Sequence, residues 1–252
     1  MDIKGQIVIV TGGASGLGAS AARQLAAAGG KVAVFDANEE AGTMIAQEIG
    51  GFFARVDITD YAKVAEALFA AEEALGVPRI LVNCAGITPT GRTVGDDGTP
   101  LSLENMRRNV EVNLYGTMYP LTLFAARLAR EEPLGEERGV VVNTASIAAF
   151  DGQVGQMAYA AAKGGVVGLT LPAARDLARH AIRVVTIAPG MFRTAMVGML
   201  SEEGKDRLGA QVPFPNRLGR PEEYAHLVAS IIANPMLNGE VIRLDGAHRL
   251  RA

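Results

Sequence analysis

A chain of 252 residues with a formal charge of -3 at pH 7 and 49% hydrophobic residues is too apolar to stay disordered and long enough to bury a sizeable core. Charges and glycines interrupt every apolar run before the roughly 20 residues that a membrane helix needs, and the near-neutral balance lacks the basic excess of a nucleic-acid binder. The single cysteine, Cys84, excludes an internal disulfide, and His180, His226 and His248 lie too far apart in sequence to suggest a zinc-type cluster.

Taken in chain order, Met1 to Gly5 leads straight into an apolar strand with no signal- or transit-peptide pattern, so a cytoplasmic protein is expected. Ile7 to Val10 reads as a buried strand, Leu17 to Ala28 as a helix ended by Gly29 and Gly30, and Lys31 to Phe35 as the second strand. Helix over Ala41 to Ile49, strand over Phe52 to Val56, helix over Tyr61 to Leu75 and strand over Ile80 to Val82 repeat the alternation. A long helix over Leu103 to Arg130, strand Val140 to Val142, helix Ala158 to His180 and strand Arg183 to Ile187 continue it. Helix Pro221 to Ala233 and a last strand over Gly239 to Leu244 close the pattern. Apolar strands separated by helices predict an α/β fold, a doubly wound parallel sheet of Rossmann type in a single domain. Two segments resist assignment. Thr88 to Pro100 reads as a surface loop, and Met191 to Arg220 as a substrate-facing lid after a strand.

The first strand runs into Thr11-Gly12-Gly13-Ala14-Ser15-Gly16-Leu17-Gly18. Glycines at 12, 16 and 18 permit a tight turn in which backbone N–H groups meet a pyrophosphate at a helix N-terminus, with the Ser15 hydroxyl and the Leu17 amide in the same turn. Asp36 follows the second strand, where a carboxylate accepts from an adenosine ribose and repels a 2′-phosphate, pointing to NAD. Asp57 and Ile58 end the third strand beside the expected adenine edge. Asn83-Cys84-Ala85-Gly86 ends the fourth with small residues that pass close under a ribose, Cys84 serving as a small buried hydrophobe.

Tyr159 and Lys163 stand four apart on one helical face, and Ser146 ends the fifth strand. A tyrosine with an ordinary pKa near 10 is only about 0.1% phenolate at neutral pH. An adjacent ammonium favours the charged form, and a drop of ~3 units, about 4 kcal/mol, makes the phenolate a usable base. Lys163 is expected to supply that field.

With these pieces, Asn113, Pro189-Gly190 and Thr194, the sequence resembles the short-chain dehydrogenase/reductase family over essentially its whole length. Longer blocks, Asn143 to Ser146, Gly152 to Gln156, Gln211 to Pro215 and Leu237 to Gly246, resemble its type 2 L-3-hydroxyacyl-CoA dehydrogenase branch. The resemblance implies that Tyr159 exchanges the alcohol proton and Ser146 steadies the reacting oxygen. It also implies that Lys163 binds nicotinamide ribose hydroxyls and that Asn113 holds a proton-relaying water. Pro189, Gly190, the Phe192 backbone and Thr194 would hold the carboxamide, and Gln153 and Gln156 would lie near an acyl substrate. Met191, Phe192, Met196, Met199 and Leu200 would form a flexible lid, with Arg193 facing a CoA phosphate or solvent. NAD, an acyl-CoA thioester and a homotetramer packed through Ala125, Ala126, Ala161 and Gly165 are the implied partners. A carrier-protein-linked 3-oxoacyl reductase, a hydroxysteroid dehydrogenase and a non-catalytic nucleotide-binding scaffold are the competing expectations.

Overall fold

The computed structural model, which describes residues 1–194 and 201–251, contains strands β1 (Ile7–Thr11), β2 (Lys31–Asp36), β3 (Phe52–Arg55), β4 (Pro78–Asn83), β5 (Gly139–Thr144), β6 (Ile182–Pro189) and β7 (Val241–Leu244). All pair in parallel, in the order β3-β2-β1-β4-β5-β6-β7. The order reverses direction beside β1, so the carboxyl ends of β1 and β4 flank the crevice where doubly wound sheets bind ligands. The helices are α1 (Gly16–Ala27), α2 (Glu39–Ile49), α3 (Tyr61–Leu75), α4 (Leu103–Val110), α5 (Gly116–Leu128), α6 (Ala148–Asp151), α7 (Met157–Ala178), α8 (Glu202–Gly209) and α9 (Pro221–Ala233).

Strand side chains alternate between two faces, and each face has its own core. Val8, Val10, Val32 and Val34 pack with Leu25 of α1, Ile45 of α2 and Val228 and Ile232 of α9. Ile9, Phe35, Leu81 and Val141 pack on the other face with Val64 of α3 and Phe124 and Leu128 of α5. Polar residues set the helix starts: the side chains of Asn38, Asp60 and Ser102 accept from the backbone N–H groups of Ala41, Lys63 and Asn105.

Three expected elements are corrected. The helix drawn from Leu103 to Arg130 is interrupted by a π turn over Glu111–Tyr115 and ends at Leu128. The extra residue in that turn changes the register of the ladder, a feature common at functional sites, and Asn113 lies within it. The unassigned Met191 to Arg220 segment contains α8, whose low apolar content hid it from periodicity; Ser201 caps it by accepting from Gly204 N–H at 3.2 Å. Thr88 to Pro100 is more than a surface loop, because Thr88 and Thr90 line the main cleft and Gly91 N–H donates to the Gly155 carbonyl at 2.8 Å. Of the small residues expected between subunits, Ala125 is buried in the core and Gly165 packs against Leu114 of the π turn, whereas Ala126 and Ala161 are exposed.

At the end of the sheet away from the cleft, Arg183 is buried. Its Nε donates to Glu137 at 2.7 Å, and its guanidinium also donates to the carbonyls of Ile231, Ile232, Asn234 and Leu237, tying β6 to the end of α9. An Arg183→Met variant removes the charge and these five hydrogen bonds, leaving Glu137 and Ile232 only the Met1 ammonium and Asn234 only the Leu237 N–H. It should lose about 3 kcal/mol, read as a thermal midpoint lower by about 10 °C.

Candidate active site

A cleft of about 680 Å³ runs along the carboxyl ends of β1, β2, β4, β5 and β6, within the size range of small-molecule sites. Outside the expected lid, every residue singled out for cofactor, substrate or proton transfer lines it except Asn83. Asn83 is 2% exposed and turned into the sheet, where its Nδ2 donates to Asn143 Oδ1 at 2.9 Å and its Oδ1 accepts from Thr11 Oγ1 at 3.4 Å. It ties the ends of three strands together beneath the floor that Cys84, Ala85 and Gly86 present.

The turn after β1 fits a dinucleotide. Gly12 has φ +64°, and a Cβ there would stand 2.6 Å from the Ala85 backbone, so only glycine lets the turn lie against the end of β4. Ser15 makes no side-chain cap and the first turn of α1 holds no acidic residue, leaving the N–H groups of Gly16, Leu17 and Gly18 for an anion. Asp36 braces the same turn: Oδ2 accepts from Ala14 N–H at 3.0 Å and Oδ1 from Asn38 N–H at 2.9 Å. Each oxygen keeps a second lone pair, and Asp36 lines the cleft. Asp57 serves two ends, lining the cleft while its Oδ1 accepts from Thr59 N–H and Oγ1 at 2.9 and 2.8 Å.

Tyr159 and Lys163 share α7, and Ser146 lies just past β5. The Tyr159 hydroxyl is hydrogen-bonded to Ser146, and Ser146 Oγ also accepts from Ala148 N–H at 3.1 Å. Lys163 Nζ donates to the Thr144 carbonyl at 2.8 Å, and dry surroundings push its pKa down to about 8. Such an ammonium is still about nine-tenths protonated at pH 7. The expected depression of the Tyr159 pKa is corrected: burial pushes the phenol up, and the opposing influence is the Ser146 hydrogen bond. Desolvation penalises the charged forms of both residues, and Lys163 turns its ammonium to the Thr144 carbonyl.

Asn113 holds the loop after β4 in a two-point clasp, its Nδ2 donating to the Ile87 carbonyl at 3.0 Å and its Oδ1 accepting from Ile87 N–H at 3.1 Å. Gly86 lies over it, where a Cβ would be 2.9 Å from Asn113 Oδ1 and 3.3 Å from Lys163 Nζ. The side chain is therefore committed, and the main-chain carbonyl accepts from Thr117 Oγ1 at 2.9 Å.

Past β6, Met191 and Arg193 pair with Gly219, and Phe192 is buried against it. Phe192 is thus a core anchor at the root of the expected lid; Met196, Met199 and Leu200 lie outside the described residues. Arg193 meets Glu202 at 3.4 Å in solvent. Sequence reasoning missed Tyr224 of α9. Fully buried, its hydroxyl reaches Thr144 Oγ1 at 2.8 Å and Cys84 Sγ at 3.3 Å, and so fixes the strand end that holds Lys163. Burial there also pushes the Cys84 thiol up, making it a quiet wall. Missed too were the apolar walls Leu208 and Leu250, which carry no local motif.

A family model described as short chain dehydrogenase matches residues 6–205. The chain belongs to the short-chain dehydrogenase family. This short-chain dehydrogenase is 48% identical over 253 residues to a Rattus norvegicus protein named 3-hydroxyacyl-CoA dehydrogenase type-2, covering 99% of this chain and 97% of that one. A crystal structure named 3-hydroxyacyl-CoA dehydrogenase type-2 from Mycobacterium avium is similar with a TM-score of 0.94 and 43% identity, covering 98% of this chain and 97% of that one. A Mus musculus 3-oxoacyl-[acyl-carrier-protein] reductase is 34% identical over 247 residues, covering 97% of this chain and 98% of that one. The short-chain dehydrogenase is accordingly an oxidoreductase of the kind that works with a nicotinamide cofactor. No helix among its described residues is long and apolar enough to cross a membrane.

Proposed function

We propose that the chain is an NAD-dependent dehydrogenase interconverting 3-hydroxyacyl-CoA and 3-oxoacyl-CoA. The observation that carries the substrate class is the near-full-length identity of 48% to a protein of that name, against 34% to the carrier-protein reductase. Asp36 at the cleft supports NAD over NADP.

NAD would be held by the N–H groups of the Gly12 to Gly18 turn, by Asp36 at the ribose, by Asp57 and Ile58 at the adenine, and by Lys163 with the Pro189 to Thr194 turn at the nicotinamide end. When bound, the nicotinamide supplies the acceptor for the substrate's hydride in oxidation and its donor in reduction. Ser146 donates a hydrogen bond to the substrate oxygen and stabilises the charge that grows on it. Tyr159, hydrogen-bonded to Ser146, takes the hydroxyl proton in oxidation and returns it in reduction. Lys163 holds a positive charge beside the phenol. A water on the Asn113 carbonyl takes the proton onward to solvent. Gln156, Ile147, Leu208 and Leu250 form the wall that an acyl chain meets. Exposed Met118 and Leu171 on α5 and α7 support subunit packing into a homotetramer.

Purified protein with NAD and 3-hydroxybutyryl-CoA should form NADH, followed by its absorbance, with kcat/KM of about 10⁴ M⁻¹s⁻¹ or more. Oxidation of simple secondary alcohols with every acyl-CoA silent would overturn the substrate class. Silence toward all alcohols would overturn the catalytic reading.

A further inference from the structure

One wall of the cleft comes from the far end of the chain. After β7, residues 246–251 fold back over α6, and Leu250 lines the same cleft as Ser146 and Tyr159. Arg243 of β7 clasps this strap: its Nη1 and Nη2 donate to the Asp151 carboxylate of α6 at 3.2 and 2.6 Å, and its Nε to Asp245 at 2.8 Å. Nη2 also donates to the His248 carbonyl at 3.1 Å, and the guanidinium lies 5.1 Å from the centre of the Phe150 ring. Asp151 in turn accepts from the Leu250 backbone N–H.

Two further ties hold the segment. Gln153, which lines the cleft, also commits its Nε2 to the Arg251 carbonyl at 3.1 Å. Phe214 N–H donates to the Gly246 carbonyl at 3.3 Å, which joins the strap to the Met191 to Arg220 segment. The ion pair of Arg243 with Asp151 is part-buried, with side chains 21 and 19% exposed, and its desolvation offsets much of its attraction, so its net contribution to stability is small. Its consequence lies in where it puts Leu250.

We propose that Leu250 is a specificity residue that limits how long a substrate chain the cleft accepts, and that Asp151 and Arg243 are positioning residues that hold it there. The chain in question is an acyl chain on the functional reading above, on which this assignment rests. An apolar wall discriminates by contact and by exclusion, and a few carbons added or removed there change rates by one to two orders of magnitude. Asp151 acts at one remove: the same carboxylate holds the Leu250 backbone and the Arg243 fork, so losing its charge frees the strap without touching the reacting atoms.

The test measures kcat/KM over straight-chain 3-hydroxyacyl-CoA substrates from four to ten carbons, and over 2-alkanols of graded length, for the parent, Leu250→Ala, Asp151→Asn and Asp151→Glu. In Leu250→Ala the ratio of the eight-carbon to the four-carbon rate constant should rise about tenfold. Asp151→Asn should move the same ratio through KM more than kcat, and Asp151→Glu should restore the parent's ratio. A Leu250→Ala ratio within twofold of the parent's overturns the assignment of Leu250. An Asp151→Glu ratio no closer to the parent's than that of Asp151→Asn overturns the clasp. If thioesters are silent and alkanols react, the functional reading fails while the alkanol ratio still decides the role of Leu250; silence toward both series overturns both.

Discussion

A Tyr159→Phe enzyme should bind NADH as tightly as the parent and lose about a thousandfold in kcat, the scale of a positioned general acid–base group. The ring is 9% exposed and fits α7 without its hydroxyl, so the fold has no reason to change. Ser146 keeps its bond from Ala148 N–H and stays in place. The parent should also oxidise faster as pH rises from 7 toward 8, because the base form of Tyr159 is needed and burial raises its pKa, and it should lose that gain at higher pH as Lys163 gives up its charge. The residual rate of the variant should lose that rise. NADH fluorescence titration and pH–rate profiles check both parts; a variant with turnover within tenfold of the parent would remove Tyr159 from the proton transfer.

Asp36→Ala is the second large effect. Repulsion between a carboxylate and a phosphate dianion in a partly hydrated site is on the order of 3 kcal/mol, about a hundredfold in kcat/KM. Removing the carboxylate should raise kcat/KM with NADP by about that factor. It should also lower kcat/KM with NAD by about tenfold, through the lost ribose hydrogen bonds. The brace to Ala14 and Asn38 is lost as well, so part of the NAD effect is a looser turn. The ratio of the two rate constants isolates charge from looseness, since a slack turn weakens both cofactors alike. An unchanged ratio would show that Asp36 does not discriminate.

Residues legible in the sequence were those whose role depends on near neighbours. The turn from Gly12 to Gly18 joins a strand to a helix within a few residues, and Tyr159 and Lys163 meet because a helix repeats every 3.6 residues. Asn83 is the one of its stretch whose place was not legible: its neighbours in sequence line the cleft, while the sheet turns its own side chain toward Thr11 and Asn143. α8 was missed because its stretch, Glu202–Gly209, carries almost no apolar side of the kind that marks a packed helix.

By itself the sequence determined the alternation of strands and helices, the glycine-rich turn after β1, the acidic residue after β2 and the helical spacing of Tyr159 and Lys163. Each of these is written in short-range chemistry: chain conformation, spacing and charge. Tertiary structure alone decided the order of the sheet, the π turn at Asn113 and the burial that raises the Tyr159 pKa and lowers that of Lys163. It likewise decided that Tyr224, 80 residues beyond Thr144, supports the strand end and that Leu250 reaches the cleft. The reason is physical: desolvation and long-range contact depend on which segments exclude water from one another, and no window along the chain contains both partners.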